Sequence, residues 1–148
     1  MDGLTLTDGK VIIRPYQLDD IDRLAEAAVE SVNTIYPWLP WCHPAYSRTD
    51  AETWVNSRPV AWNEGAAFAF VITYAETGRF IGGIGLNHVI DEYKMANLGY
   101  WVRRMAMGHG HAPAATRLVA RFGFERLDLN RIEVIAAVGN RPSQRAEA

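Results

Sequence analysis

The stretch between Leu98 and Pro113 constrains the fold of this chain more than any other. Leu98-Gly99-Tyr100-Trp101-Val102 predicts a β-strand, and Gly108-His109-Gly110 separates it from a helix near Pro113, a residue suited to a first helical turn. Glycines before a helix leave free backbone N–H groups, which with the positive helix end can bind an anion. Taken alone, Gly-x-Gly is as typical of a tight strand-to-helix turn as it is of an anion site. No Lys-Ser/Thr follows and a third glycine is absent, so neither a Walker A loop nor a dinucleotide fingerprint is present.

The rest of the pattern predicts one α+β domain, residues 1–148, built on a mostly antiparallel sheet. Asp8-Gly9 predicts the turn of a hairpin, because both positions tolerate positive φ. Thr49 and Glu52 predict a capping box, and Pro59 is expected to end or kink the helix that follows. Strands are predicted over 4–7, 11–14, 67–74, 80–88, 98–102 and 132–138, the last of them largely covered, and helices from about 19, 49, 113 and 140.

Composition excludes several classes of function. The 148 residues carry 15 basic and 17 acidic side chains, a net charge of −2, so no basic footprint for nucleic acid is present. The N-terminal residues do not form a signal peptide, and no run of about 18 apolar residues could span a membrane. The single cysteine, Cys42, fits a reducing compartment, and we expect the cytoplasm.

Several motifs occur in an order that covers nearly the whole chain: Ile13-Arg14-Pro15, Trp38-Leu39-Pro40-Trp41, the glycine-rich strand from Phe80 to Leu86, Leu98 to Val102, Gly108-x-Gly110-x-Ala112, Leu129 to Glu133, and Asn140-x-x-Ser143. Together they resemble the GNAT acyltransferases, and in particular their ribosomal-protein N-acetyltransferase (RimJ/RimL-like) branch. The resemblance implies an acyl-CoA N-acyltransferase fold and direct transfer of an acetyl group from acetyl-CoA to an amine.

The resemblance also implies which residues hold acetyl-CoA, in a gap where two strands splay apart beside the glycine loop. The backbone of three strand residues would pair with the pantetheine, the N–H groups of the loop would hold the pyrophosphate, and one asparagine would steady the cosubstrate. In that order, these residues are Tyr100, Trp101 and Val102; then Met107, Gly108, His109, Gly110, His111 and Ala112; then Asn140.

Two residues are candidates for proton transfer. Ser143 occupies the position of the acid that protonates the departing thiolate, and Glu133 could act as general base through water. Ser143 could equally cap a helix, and Glu133 could be a solvent-facing strand residue. Asn97 stands where relatives often have Glu, so that position lacks a base. No metal is expected, because His109 and His111 have no third ligand.

The expected acceptor is a protein or peptide N-terminal α-amine. A small-molecule amine and a non-catalytic acyl-CoA-binding module are the alternatives, which the fold alone does not separate. Arg103 and Arg104 could attract the phosphates of CoA or be solvated. The family's last strands follow Asn-x-x-Ser, so we expect a domain truncated at its C-terminus, with an open strand edge that could form a homodimer.

Overall fold

The computed structural model describes residues 4–35, 45–103 and 110–134. In these ranges the chain forms six strands and three helices. The strands are β1 (Leu6–Thr7), β2 (Val11–Pro15), β3 (Phe68–Tyr74), β4 (Phe80–Ile90), β5 (Met95–Val102) and β6 (Arg131–Val134), and the helices are α1 (Asp20–Ile35), α2 (Arg48–Asn63) and α3 (His111–Arg126).

The six strands form one sheet in chain order, from β1 to β6. Neighbouring strands are antiparallel except β5 and β6, which are parallel. A parallel pair needs a crossover, and α3 supplies it between these two strands. The predicted α+β class, with a mostly antiparallel mixed sheet flanked by helices, is confirmed.

The two faces of the sheet carry side chains of very different size. On one face, large apolar side chains of β2 to β5 pack against α3; they include Ile13, Phe70, Leu86, Leu98 and, from the helix, Phe122. The opposite face is covered by α1 and α2 through a second cluster, in which Leu24, Val55 and Trp101 take part. Because strand side chains alternate between faces, the sequence decides residue by residue which helix each strand position meets.

The predicted hairpin is confirmed, although β1 has only two residues. Gly9 takes a positive φ of 92°, and the Asp8 carboxylate accepts hydrogen bonds from the N–H groups of Lys10 at 2.9 Å and Val11 at 3.1 Å. Partial burial would raise the pKa of Asp8, but these backbone bonds outweigh it and hold that pKa below its usual value. The turn therefore fixes the backbone of Lys10, the residue that follows Gly9.

Helix α2 departs from the prediction at its start and at Pro59. The cap is Ser47 with Asp50, whose carboxylate accepts a hydrogen bond from the Ser47 N–H at 3.0 Å; the predicted box of Thr49 and Glu52 is wrong, since both residues lie inside the helix. The helix also runs through Pro59 to Asn63. Pro59 has no N–H, so the helix continues past it with one backbone hydrogen bond fewer.

Other boundaries shift by a few residues. Strand β4 continues to Ile90 and β5 starts at Met95, while α3 begins at His111, before Pro113. The strand predicted from Ile132 to Val138 is described only as far as Val134; in that part Ile132 and Val134 are half-buried and Glu133 is exposed, and β6 is the last strand of the sheet among the described residues. No helix in the described ranges is long and apolar enough to cross a membrane.

A buried ion pair fixes the start of α1 against β2. The Asp20 carboxylate accepts hydrogen bonds from Arg14 Nη1 at 2.8 Å and Nη2 at 2.9 Å, and from the Gln17 N–H at 2.7 Å. The Asp20 side chain is 1% exposed, whereas Asp22, two residues further along α1, pairs with Arg48 and is 77% exposed.

We expect Asp20→Ala to lower the free energy of unfolding by about 1–3 kcal/mol, because the half-buried Arg14 guanidinium and the Gln17 N–H lose their acceptor. Urea unfolding followed by circular dichroism measures the change. The matched control is Asp22→Ala, which should leave stability nearly unchanged since solvent screens that pair. Equal losses in the two variants would contradict this account of α1.

Candidate active site

Three residues without large side chains lie side by side across the middle of the sheet. Ala69 of β3 is the register partner of Gly85 of β4, and Gly85 is the partner of Gly99 of β5. All three lie on the face that α1 and α2 cover, because their neighbours Phe70, Leu86 and Leu98 belong to the α3 cluster. A hollow therefore remains between this row and the helices.

The next row closes one end of the hollow. Val71, Gly83 and Trp101 are register partners, and Trp101 packs on Phe80 with ring centroids 5.9 Å apart. A Cβ on Gly83 would lie 2.7 Å from the Tyr16 hydroxyl and 2.6 Å from Trp101 Nε1, so only glycine allows these groups to approach β4. Burial raises the pKa of Tyr16 well above its usual value, and the phenol stays protonated.

The hollow is a cavity of about 680 Å³. Its floor is the row of Ala69, Gly85 and Gly99, and one wall is a single face of α2. The α2 residues of that wall recur at helical spacing: Asp50, Thr53, Trp54, Ser57 and Arg58. A cavity of this size can enclose a small molecule or the end of a peptide.

A polar row lies beyond the small one, at the exposed end. Asn87 of β4, which lines the cavity, is the partner of Asn97 of β5, and Asn97 is the partner of Glu133 of β6. The residues on either side of Glu133, Ile132 and Val134, pack against the α3 cluster, so Glu133 projects to the cavity face. Because adjacent strands are roughly 5 Å apart, Glu133 brings its carboxylate next to Asn97, which has no carboxylate of its own.

The start of α3 has the features of an anion site. Gly110 is the N-cap residue in a left-handed conformation, with φ 78°, and the first turn holds no acidic residue. Lys10 Nζ lies 2.8 Å from where a Cβ on Gly110 would stand. Two positive features, a helix N-terminus and an ammonium group, therefore meet at one place.

His111 and Arg103 flank this region but face inward. His111 is 2% exposed and packs against the Tyr74 ring, with centroids 4.9 Å apart. Arg103 is also buried, and its guanidinium pairs with Glu30 at 2.9 Å and with Glu26 at 3.3 Å. Of the two roles considered for Arg103, a contact with CoA phosphates and a solvated charge, its observed contacts match neither; it joins β5 to α1.

The predicted site residues are only partly within the described ranges. Tyr100, Trp101 and Val102 form the end of β5, past Leu98↔Val134, the last described pair between β5 and β6. Gly110, His111 and Ala112 open α3, and Glu133 lies on β6. The other predicted residues, Met107, Gly108, His109, Asn140 and Ser143, lie outside the described residues.

Sequence reasoning missed the α2 wall and Lys10. The wall had a signal, since polar residues recur at positions 50, 53, 57 and 58 on one helix face. Such a face usually meets solvent, and only the small residues of three distant strands turn it into the wall of a cavity. Lys10 carried no local signal, because its position beside Gly110 depends on how the hairpin packs.

Comparisons with known proteins agree with this architecture. The model of the Acetyltransferase (GNAT) domain matches residues 10–147. A Bacillus subtilis protein named "Putative ribosomal N-acetyltransferase YdaF" is 29% identical over 135 residues, covering 90% of this chain and 73% of that protein. The "Uncharacterized N-acetyltransferase p20" of Bacillus licheniformis is 31% identical over 140 residues, 94% of this chain and 76% of that protein.

Among solved structures, the ribosomal L7/L12 alpha-N-protein acetyltransferase RimL in complex with coenzyme A superposes with a TM-score of 0.88. The superposition covers 97% of this chain and 80% of RimL at 17% identity, so the likeness concerns the fold. The fold is that of an N-acetyltransferase. The chain belongs to the GNAT acetyltransferase family, as the sequence resemblance predicts.

Gly99 offers a direct test of the cavity. A Cβ on Gly99 would meet nothing within 4 Å, whereas a Cβ on its partner Gly85 would lie 2.7 Å from the Phe68 carbonyl oxygen. We expect Gly99→Leu to fill the cavity and lower acetyl transfer at least ~10-fold, as loss of a well-positioned acceptor does. The readout is thiol release from acetyl-CoA with a mixed panel of amines and peptides.

The melting temperature separates occlusion from misfolding. Gly99→Leu should keep the wild-type melt, because its side chain enters open space, and Gly85→Ala should lower it. Full activity in a folded Gly99→Leu protein would show that acceptors do not bind over this floor.

Proposed function

We propose that this chain transfers an acetyl group from acetyl-CoA to the α-amine at the N-terminus of a protein or peptide. The observation that carries the proposal is the cavity of about 680 Å³ over the floor of small residues, with Asn87 of the polar row in its lining. The names of the B. subtilis relative and of RimL, which refer to ribosomal acceptors, support the same class of acceptor.

The start of α3 is where we place the phosphates of acetyl-CoA. Gly110 in its left-handed conformation, a first helical turn without acidic residues, and Lys10 beside them fit a pyrophosphate. We further propose that the backbone of Tyr100, Trp101 and Val102 pairs with the pantetheine, and that the loop from Met107 to Ala112, with Asn140, completes the site. Acetyl-CoA supplies an activated acetyl group as a thioester.

The polar row suggests how this chain handles the proton of the amine. In the reaction a bond forms between the acceptor nitrogen and the acetyl carbon, and the carbon–sulfur bond breaks. We propose that Glu133 takes the proton that nitrogen loses, through water, and that Ser143 gives a proton to the thiolate. An α-amine, with a pKa of about 7.7–8.0, demands less of a base than a lysine side chain at about 10.4.

A small-molecule amine is a second candidate acceptor. The size of the cavity favours it, because ligand sites of about 300–1,000 Å³ commonly enclose whole small molecules. One experiment tests both candidates: the protein is incubated with acetyl-CoA and either peptides or small amines, and mass spectrometry locates the acetyl group. Acetylation at the peptide α-nitrogen supports the proposal, and acetylation only of small amines or of lysine side chains overturns it.

For the base, we expect Glu133→Gln to lower acetyl transfer about 100-fold near pH 7, the lower end of what general base catalysis contributes. The deficit should shrink toward pH 9, because an α-amine with a pKa near 8 then loses its proton unaided. Rates measured from pH 6 to 9 give the profile. Glu125→Gln, on the exposed part of α3, is the control.

A compensating variant sharpens this test. Asn97 is the register partner of Glu133 on the same face, so Asn97→Glu added to Glu133→Gln returns a carboxylate one strand away. Partial recovery of the rate is the expected result. A Glu133→Gln enzyme with the wild-type profile would show that Glu133 is only a solvated edge residue.

For the cosubstrate, we expect Lys10→Gln to weaken CoA binding up to about fivefold at low salt, as an exposed charge contact allows. The loss should fade at high ionic strength because salt screens the contact. Isothermal titration with CoA is the measurement, and Lys94→Gln is the control. Unchanged affinity at low salt would remove Lys10 from the site.

Gly110→Val is a poorer probe of the same site, because the positive φ of Gly110 strains any branched residue at that position.

A further inference from the structure

One polar face of helix α2 lines the cavity, and two of its residues, Thr53 and Trp54, are also exposed to solvent. Ala51 and Val55 are buried in the core, yet the cavity wall beside them is formed by Asp50, Thr53, Trp54, Ser57 and Arg58. A surface helix ordinarily presents such a face to solvent. Polar groups that line a cavity above an apolar floor are typical of a site that orients a polar ligand.

Arg58 is the cation of this wall. Its guanidinium lies 3.5 Å from the centroid of the Trp54 ring; Nη2 donates to the Ser57 hydroxyl at 2.8 Å, and Nε donates to the Trp54 carbonyl at 3.2 Å. These contacts fix the plane of the guanidinium while leaving its charge in place. Burial lowers the pKa of Arg58, which marks a charge partly removed from water.

Arg58 differs from other arginines of the chain in what surrounds it. Arg14, Arg48 and Arg103 each form an ion pair with a carboxylate. Within the described ranges, the partners of Arg58 are all neutral groups. The carboxylate on the same wall, Asp50, accepts the Ser47 N–H at the start of α2, about two turns away.

A half-buried cation without a counter-charge is costly unless a ligand provides one. Arg presents a planar fork of donors that matches a carboxylate better than any other side chain does. We propose that the acceptor carries a carboxylate close to its reactive amine and that Arg58 binds it. This inference rests on the proposed function, since it concerns the acceptor that occupies the same cavity.

Two sources could supply such a carboxylate, and the experiment separates them. One set of acceptors is a pair of C-terminally amidated peptides that begin Ser-Asp or Ser-Asn. The other is a pair of small amines, glutamate and glutamine. Initial rates at saturating acetyl-CoA give kcat and KM for each acceptor with the wild type, Arg58→Gln, Arg58→Lys and the control Arg48→Gln.

We expect the wild type to favour the acidic member of one pair about 10- to 100-fold in kcat/KM, mainly through KM, as a charge-assisted hydrogen bond allows. Arg58→Gln should remove the preference by lowering kcat/KM for the acidic acceptor far more than for the neutral one, and it should leave CoA binding unchanged. Arg58→Lys should retain part of it, and Arg48→Gln all of it. Which pair shows the preference identifies the source of the carboxylate.

The outcomes that overturn the inference differ from those that overturn the proposed function. If amines are acetylated without preference for the acidic member, or if the preference persists in Arg58→Gln, the role of Arg58 is refuted and the transferase activity stands. If no peptide α-amine is acetylated although CoA binds, the proposed function fails. A general loss of activity and melting temperature in both Arg58 variants would assign Arg58 to folding alone.

Discussion

The small size of three residues side by side on one face of β3, β4 and β5 is the constraint on which the site depends. Ala69, Gly85 and Gly99 are aligned by the register of β3, β4 and β5, and their neighbours on the other face are large. Gly85 is there for a second reason: a Cβ would lie 2.7 Å from the Phe68 carbonyl oxygen, so β4 could not stay paired with β3. The close pairing of the sheet and the hollow above it thus have a common cause.

A hollow under two helices would close if the helices could settle onto the sheet. Two arginines oppose this by holding α1 near both of its ends. Arg14 of β2 binds the buried Asp20 at the start of α1, and Arg103, just after β5, binds Glu30 further along the helix. Because α1 also packs on α2, these ion pairs help to fix the position of α2, which forms a wall of the cavity.

Local sequence patterns predict the local parts of this architecture well. Asp8-Gly9 predicts its turn because positive φ is a property of single residues, and the strand–glycine–helix pattern around Gly110 predicts the helix that starts there. The motif order also predicts the family. Local patterns are weaker at caps: Ser47 and Asp50 compete with Thr49 and Glu52 for one role, and spacing does not rank them.

Features that depend on pairing across the sheet could not be read from the sequence. Glu133 and Asn97 are far apart in the chain and become neighbours only through the parallel register of β5 and β6. The polar face of α2 likewise looks solvent-facing until the small residues beneath it are aligned. We propose that the acceptor lies over those small residues, on the face of the sheet opposite α3.

A crystal structure with a bisubstrate analogue tests that claim most directly. In the analogue, the sulfur of CoA is joined through an acetyl linker to the N-terminal nitrogen of a Ser-Asp peptide. We expect density for the peptide over Ala69, Gly85 and Gly99, with CoA at the start of α3. Peptide density on the α3 side of the sheet, or outside the cavity with the cavity empty, would contradict it.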